Sequence, residues 1–390
     1  MPPFCYNMYM IKLDPRHLPA VTFACGPAQG LPSVRQSELY QTLFERSHRA
    51  PDISYNGLYK EAEKNLRTFL QVPQDYTLLF FPGGATAAMD AVLWSLTKSH
   101  VSGLNMGAFS RLWCSRLAPR VPGIQTDFLD VDLIPQALPN TAADLVILTP
   151  NETSTGVQLP DDYLQQVWDK RGKNTLVAWD TTSCAGGRAL PANIYDVQLF
   201  GLQKCFAAGG GTCALILSPK AVARANEMAT RRTIPFFLDL TNAIPFAQQK
   251  HQTLNTPSTI NIWMANEGAK FMLSHGGLKE MEKLCRLHAN YLVQWAQQTD
   301  WIRPLIQNDL YRSFTTLTLE ITHPKIQDTQ LNEALAATGL KNLQDGLKKY
   351  HTVKRNSLRV ACFPFVDTNG VEEYKKLTAA LDEIARQLKK

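Results

Sequence analysis

The sequence predicts an α/β protein with a mainly parallel sheet in a large domain and a smaller α+β domain after it. Three observations support this. Apolar runs at 76–81, 144–148 and 175–179 are nearly continuous, as in strands buried on both faces of a parallel sheet. Segments of helical periodicity separate them. In the last third the steady alternation stops, and strands and helices follow one another without βα repetition. At 390 residues the chain exceeds one ordinary core, so two domains are expected: 16–265, and 266–390 together with an N-terminal arm, 1–15.

The elements follow in order. Residues 21–28 read as a short strand ending in a Gly-Pro turn. Helices are expected at 32–44 and at 58–70, the latter with Leu58, Ala62, Leu66 and Phe69 on one face. Strand 76–81 meets Pro82-Gly83-Gly84-Ala85-Thr86, and a helix continues from 87 to 96. Strand 144–148 leads into the loop 149–156, helix 161–168 follows, and strand 175–179 runs into Asp180. Two apolar runs, 196–200 and 213–217, flank Gln203-Lys204 and the glycines 209–211. Then come helix 221–231, an irregular segment 235–257 and a long helix 260–273. The last third reads as helix 278–295, an alternating strand 313–321, helix 331–337, strand 357–363 and an amphipathic helix 371–388.

Composition excludes several classes. A net charge of +6 over this length, with basic residues scattered, makes nucleic acid a poor partner. Eight cysteines without CxxC spacing read as reduced thiols. No secretory signal and no bilayer-length apolar run is evident, so the expected location is the cytoplasm, with no membrane partner. No metal-ligand pattern is seen.

Three features carry chemistry. Lys204, held at a sheet edge between two buried strands, would lose water, and desolvation disfavours the ammonium. Such a lysine can act as a neutral nucleophile, which Schiff-base enzymes need. The alternative is a strand-end lysine reaching back to solvent. The strand–glycine turn–helix at 82–86 is an anion cradle, because free N–H groups and the positive helix end face one point. It lacks the Gly-Lys-Ser/Thr ending of a Walker loop, and Gly-Gly can also serve merely to turn the chain. Asp180 and Thr153 fall at the carboxyl ends of strands, where functional groups of parallel sheets gather. Pyridoxal phosphate needs a phosphate cradle, a lysine for its aldehyde and a carboxylate for its pyridine nitrogen.

The whole chain resembles the phosphoserine aminotransferase family of fold-type I pyridoxal-phosphate enzymes. The matching motifs are Phe23-Ala24-Cys25-Gly26-Pro27-Ala28, Ser47-His48-Arg49, Gly83-Gly84, Pro150-Asn151-Glu152-Thr153, Asp180-Thr181-Thr182-Ser183, Gln203-Lys204, Asn255-Thr256-Pro257 and the strand holding Arg359. The resemblance implies a seven-stranded sheet, Lys204 as the Schiff-base lysine and Asp180 as the pyridinium partner. It implies Ala85 and Thr86 at the cofactor phosphate with Gln203 nearby, Phe109 stacked on the ring, and Thr153 at the phenolic oxygen. Asn255 and Thr256 would reach the phosphate from the partner subunit of a homodimer. Arg359 would fork onto the substrate α-carboxylate, and His48 and Arg49 would bind its distal phosphate or carboxylate. The activity implied is transfer of an amino group between O-phospho-L-serine and 2-oxoglutarate, in serine biosynthesis.

The chain departs from the family at four places. Thr86 replaces arginine, Phe109 replaces tryptophan, Cys205 replaces asparagine, and His351-Thr352 stands where a His-Arg pair binds phosphate. Lys354 or Arg355 could supply the charge missing there. Alternatives are an aminotransferase acting on alanine or serine, and a non-catalytic dimeric scaffold of the same fold. Taken singly, Arg359 could also be a strand arginine on a solvated face, and Phe109 a core residue.

Overall fold

The computed structural model describes residues 13–25, 30–38, 43, 49–53, 57–326, 328–337 and 356–389. The chain begins with α1 (Pro32–Arg35), α2 (Leu58–Leu70), β1 (Thr77–Pro82), α3 (Gly84–Leu96), β2 (His100–Asn105) and α4 (Ala108–Arg111). It continues through β3 (Gln125–Asp130), β4 (Leu145–Leu148), β5 (Asn151–Glu152), β6 (Val157–Gln158), α5 (Asp161–Lys170), β7 (Leu176–Asp180), β8 (Val197–Gly201) and β9 (Thr212–Leu217). Helices α6 (Pro219–Arg231), α7 (Leu240–Lys250), α8 (Thr259–Ser274) and α9 (Gly277–Gln297) follow. The last elements are β10 (Ile302–Pro304), β11 (Thr316–Ile321), α10 (Asp328–Ala337), β12 (Ser357–Ala361) and α11 (Glu372–Leu388).

The large sheet has seven strands in the order β1-β9-β8-β7-β4-β2-β3. The pairs β8–β7, β7–β4, β4–β2 and β2–β3 are parallel, whereas β9 runs antiparallel to both its neighbours. A short connection between adjacent strands can only reverse the chain, since a parallel return needs a crossover of a dozen or more residues. The loop carrying Lys204 is such a connection. The carboxyl ends of β1, β4, β7 and β8 and the start of β9 therefore lie along one side of the sheet, and the candidate residues gather there.

Apolar side chains of α2, α8 and one sheet face form one core, and those of α3, α6, α7 and the other face form a second. The strands β10, β11 and β12 make a separate antiparallel sheet, covered by α9 and α11 through Leu292, Leu317, Val360, Phe363, Tyr374 and Leu381. Residues 14–20 join this smaller body. Asp14 N donates to Glu383 Oε2 at 3.3 Å, and Ala20 N donates to Glu373 Oε2 at 2.8 Å.

Three local expectations change. Residues 21–25 form no strand; Phe23 contributes a single carbonyl to Ala361 N at 3.1 Å, too little for a ladder. The helix expected over 32–44 stops at Arg35, where Ser37, a residue that competes for backbone groups, follows; 39–42 and 44–48 lie outside the described residues. The segment expected to be irregular contains α7, with Pro245 inside it. Asp239 caps that helix by accepting from Thr241 N at 3.0 Å, and its buried face of Leu240, Ala243, Ile244 and Ala247 outweighs the one hydrogen bond the proline removes.

Candidate active site

Lys204 follows the carboxyl end of β8 in the loop to β9, and β8 is an interior strand, not an edge. The next two residues point opposite ways: Cys205 packs with the small core and Phe206 with the large one. That puts Lys204 at the seam between the two bodies. It is 7% exposed, and its Nζ donates to the carbonyl of Cys25. The reading of a lysine reaching for solvent is thereby overturned. Burial holds its pKa down at about 8, against 10.5 for a free lysine, with the Cys25 thiol opposing the shift and the Arg359 charge adding to it.

Asp180 ends β7 and is buried. Its Oδ1 accepts from Thr182 N at 3.0 Å and from Thr182 Oγ1 at 2.5 Å. Desolvation lifts its pKa to about 6; the Thr182 hydrogen bonds pull it down, Glu152 pushes it up, and Lys204 pulls it down. Lys204 and Asp180 are thus close enough for each charge to favour the other. Both sit in a setting that brings proton affinities towards the neutral range, as acid–base work requires.

Arg359 lies on β12, opposite Thr318 on β11, and is buried, so the solvated-face alternative is wrong. Its Nη1 donates to the Thr153 carbonyl at 3.2 Å, and its charge lies near the buried Cys25 thiol, opposing the rise in proton affinity that burial causes there. Thr153 is itself buried in the tight turn between β5 and β6. Lys204, Cys25, Arg359 and Thr153 consequently form one connected set drawn from four distant parts of the chain.

The phosphate-cradle residues begin α3. Gly83 and Gly84 adopt φ values of 87° and 70°, a region that side chains disfavour, and Gly83 N donates to Gly211 O at 2.9 Å. No side chain among the described residues caps α3, so among them its first N–H groups and the positive end of its dipole stay open at Ala85 and the exposed Thr86. The helix begins at Gly84, three residues earlier than the sequence suggested. Asn261 Nδ2 secures the facing glycine loop by donating to Gly210 O at 2.7 Å.

The remaining predicted residues are spread more widely. Phe109 is half-buried on α4, against the β5–β6 hairpin. Gln203 Oε1 is buried with no hydrogen-bond partner among the described residues. Asn255 and Thr256 lie in the loop before α8; Asn255 Nδ2 reaches only the Thr256 carbonyl, at 3.3 Å, and no described hydrogen bond ties either to Lys204 or Asp180. Arg49 is exposed. His48, His351, Thr352, Lys354 and Arg355 lie outside the described residues. Two residues had no predicted role, Cys25 and Glu152. Both were visible in the motifs, but local pattern gives no sign that one touches Lys204 and the other α4.

The profile of the aminotransferase class-V family matches residues 33–372, and the chain belongs to that family. It is 31% identical over 369 residues to a phosphoserine aminotransferase of Corynebacterium glutamicum, covering 93% of each chain. A phosphoserine aminotransferase of Rhodococcus opacus is 31% identical over 374 residues, covering 94% of this chain and 95% of the relative. Among solved structures, a phosphoserine aminotransferase from Cytophaga hutchinsonii superposes with a TM-score of 0.79 at 24% identity, over 93% of this chain and 98% of that one. The ureidoglycine–glyoxylate aminotransferase of Bacillus subtilis superposes with a TM-score of 0.76 at 17% identity, over 97% and 95%, which shows a shared fold.

The residues present fit pyridoxal phosphate. Among the described residues, an uncapped helix start faces a glycine loop, a buried amide oxygen at Gln203 has no hydrogen-bond partner, and a buried carboxylate and an amine of lowered pKa lie within each other's field. No group of three or more His, Cys, Asp or Glu able to hold a metal ion occurs among the described residues. No helix among them is long and apolar enough to cross a membrane.

Proposed function

We propose that this chain is a phosphoserine aminotransferase, exchanging an amino group between O-phospho-L-serine and 2-oxoglutarate to give 3-phosphohydroxypyruvate and glutamate. In the cell the reaction would run towards phosphoserine, for serine synthesis, in a cytoplasmic homodimer. The observation that carries the reading is the convergence of Lys204, Asp180 and Arg359 at the seam of the two bodies, in a chain of this family. A division into two domains belongs to the same proposal, with the arm joining the smaller part and the boundary, expected at 265, falling after α8, whose Ala269 and Met272 still pack in the large core.

Pyridoxal phosphate, when bound, supplies an aldehyde for the amino group and a ring that accepts electrons from the substrate α-carbon. The α3 start, with Ala85 and Thr86, and Gln203 would hold its phosphate, joined by Asn255 and Thr256 of a second copy. Asp180 would face the ring nitrogen and keep it protonated. Phe109 would cover one ring face, and Thr153 would donate to the phenolic oxygen. Arg359 has the forked geometry to bind an α-carboxylate through two parallel hydrogen bonds, and its burial excludes competing water. Lys204, with its pKa at about 8, has an appreciable neutral fraction near physiological pH, so its Nζ can take and return the proton at the substrate α-carbon. His48 and Arg49 would hold the distal phosphate.

The test is a half-reaction. Single amino acids are added to the cofactor-loaded protein, and the cofactor's visible band is followed as its aldehyde form converts to the amine form. Phosphoserine should convert it fastest. Arg49→Ala should slow phosphoserine on the order of a hundredfold more than alanine, since a charge-assisted phosphate contact serves only the former. Equal losses, or faster conversion by alanine or serine in the wild type, would replace phosphoserine with a smaller amino acid. A protein that binds no pyridoxal phosphate would be a scaffold.

A further inference from the structure

Two helices begin near this end of the sheet, and they are finished in opposite ways. The start of α3 has no side-chain cap among the described residues. The start of α4 is filled by protein. Ala108 N donates to Ser154 Oγ at 2.8 Å, Phe109 N to Glu152 Oε1 at 3.4 Å, and Ser110 N to Glu152 Oε2 at 2.8 Å. The same carboxylate accepts from Ser154 N at 3.0 Å and from Ser154 Oγ at 2.7 Å. Glu152 is fully buried, and every one of these contacts joins α4 to the β5–β6 hairpin or braces the hairpin itself.

A buried carboxylate is tolerated only where hydrogen bonds replace its water. Here they do, and charge-assisted bonds to N–H groups at a helix start are among the stronger ones available. The charge nevertheless has a local drawback, because it opposes ionisation of Asp180. A side chain of similar shape without the charge would spare Asp180 but could not accept on both oxygens. What the acid supplies in return is geometry. The packing is tight as well: a Cβ at Gly107 would stand 2.4 Å from Ser154 Oγ and 2.6 Å from Glu152 Cγ, so only glycine lets α4 close on the hairpin.

We propose that Glu152 is a positioning residue that clamps α4 to the 151–158 hairpin, so that Phe109 and Thr153 meet the cofactor ring as one rigid piece. This rests on the reading of Phe109 and Thr153 as ring-binding residues. Glu152 itself touches neither ring nor substrate.

A double-mutant cycle on cofactor affinity tests it. The Kd for pyridoxal phosphate is measured by absorbance titration for wild type, Glu152→Gln, Phe109→Ala and the double variant, with circular dichroism of the bound chromophore recorded for each. Glu152→Gln should weaken binding about tenfold in the wild-type background and less than about threefold when Phe109 is already absent, because the two act as a unit. The chromophore's dichroism should shrink in the folded, loaded variant. A merely structural role would give equal losses in both backgrounds and unchanged dichroism, and that result overturns the proposal. If Glu152→Gln does not fold, Ser154→Ala replaces it; it leaves the acid in place, removes the Ala108 N acceptor, and should show a smaller loss that again depends on Phe109. Wild type that binds pyridoxal phosphate while Glu152→Gln matches it overturns this inference alone. Wild type that binds none overturns the functional reading with it.

Discussion

Replacing Lys204 with methionine should stabilise the cofactor-free protein near neutral pH, although it abolishes transamination. The native pKa of about 8 lies below the 10.5 of an exposed lysine, so the native state binds this proton less tightly than the unfolded chain does. The resulting penalty is fully present below about pH 8 and fades as pH rises through 10.5. At about 1.4 kcal/mol per unit it is roughly 3 kcal/mol near pH 7 and about 1.4 kcal/mol near pH 9.5. Methionine has similar length and no charge, and it gives up one hydrogen bond to the Cys25 carbonyl, worth about 1 kcal/mol. The net gain expected for Lys204→Met is therefore about 2 kcal/mol near pH 7, shrinking by roughly 2 kcal/mol towards pH 9.5. Urea unfolding of both cofactor-free proteins, at equal concentration and at the two pH values, measures it. The pH dependence is the sharper readout, since the hydrogen-bond loss is common to both conditions. A stability difference that stays flat with pH would mean that Lys204 is not desolvated, and the argument for its reactivity would fail.

Two further outcomes follow from the same geometry. Asp180 carries a raised native pKa of about 6, so its contribution favours folding at low pH and is lost as pH rises from 3.8 through 6. Asp180→Asn should consequently leave the cofactor-free protein no weaker in urea above pH 6, while the amino-acid half-reaction slows at least about a hundredfold for want of the pyridinium partner. Gly107→Ala should lower stability by about 2 kcal/mol, seen as a reduced thermal midpoint, because its Cβ collides with Glu152 and Ser154, which are fixed by their own hydrogen bonds.

Where strands are buried on both faces, their sequence makes them legible: β1, β4, β7, β8 and β9 are nearly unbroken apolar runs. Two strands of the same sheet carry no such run, for different reasons. β3 is an edge strand whose Gln125-Thr126-Asp127 face water, so burial imposes no apolar pattern. β2 is buried but carries Ser102 and Gly103 at its middle; Ser102 Oγ accepts from Asn140 N at 2.9 Å, and a Cβ at Gly103 would come within 2.5 Å of the Ile147 carbonyl. Tight packing there selected small residues over hydrophobic ones. α7 was obscured by one proline inside an otherwise well-capped helix.

Glycine turns and strand ends leave local marks, and these single out Lys204, Asp180 and Thr153 in the sequence, whereas Arg359 is marked only by the family resemblance. Which of these groups touch was decided by the fold. Lys204 meets Cys25 across 179 positions, Arg359 meets Thr153 across 206, and Glu152 closes on Ser110 across 42. Periodicity reports only on neighbours a few residues apart. Burial and proton affinity depend on surfaces that arrive from elsewhere, so the lowered pKa of the lysine and the clamp on the aromatic helix belong to tertiary packing alone.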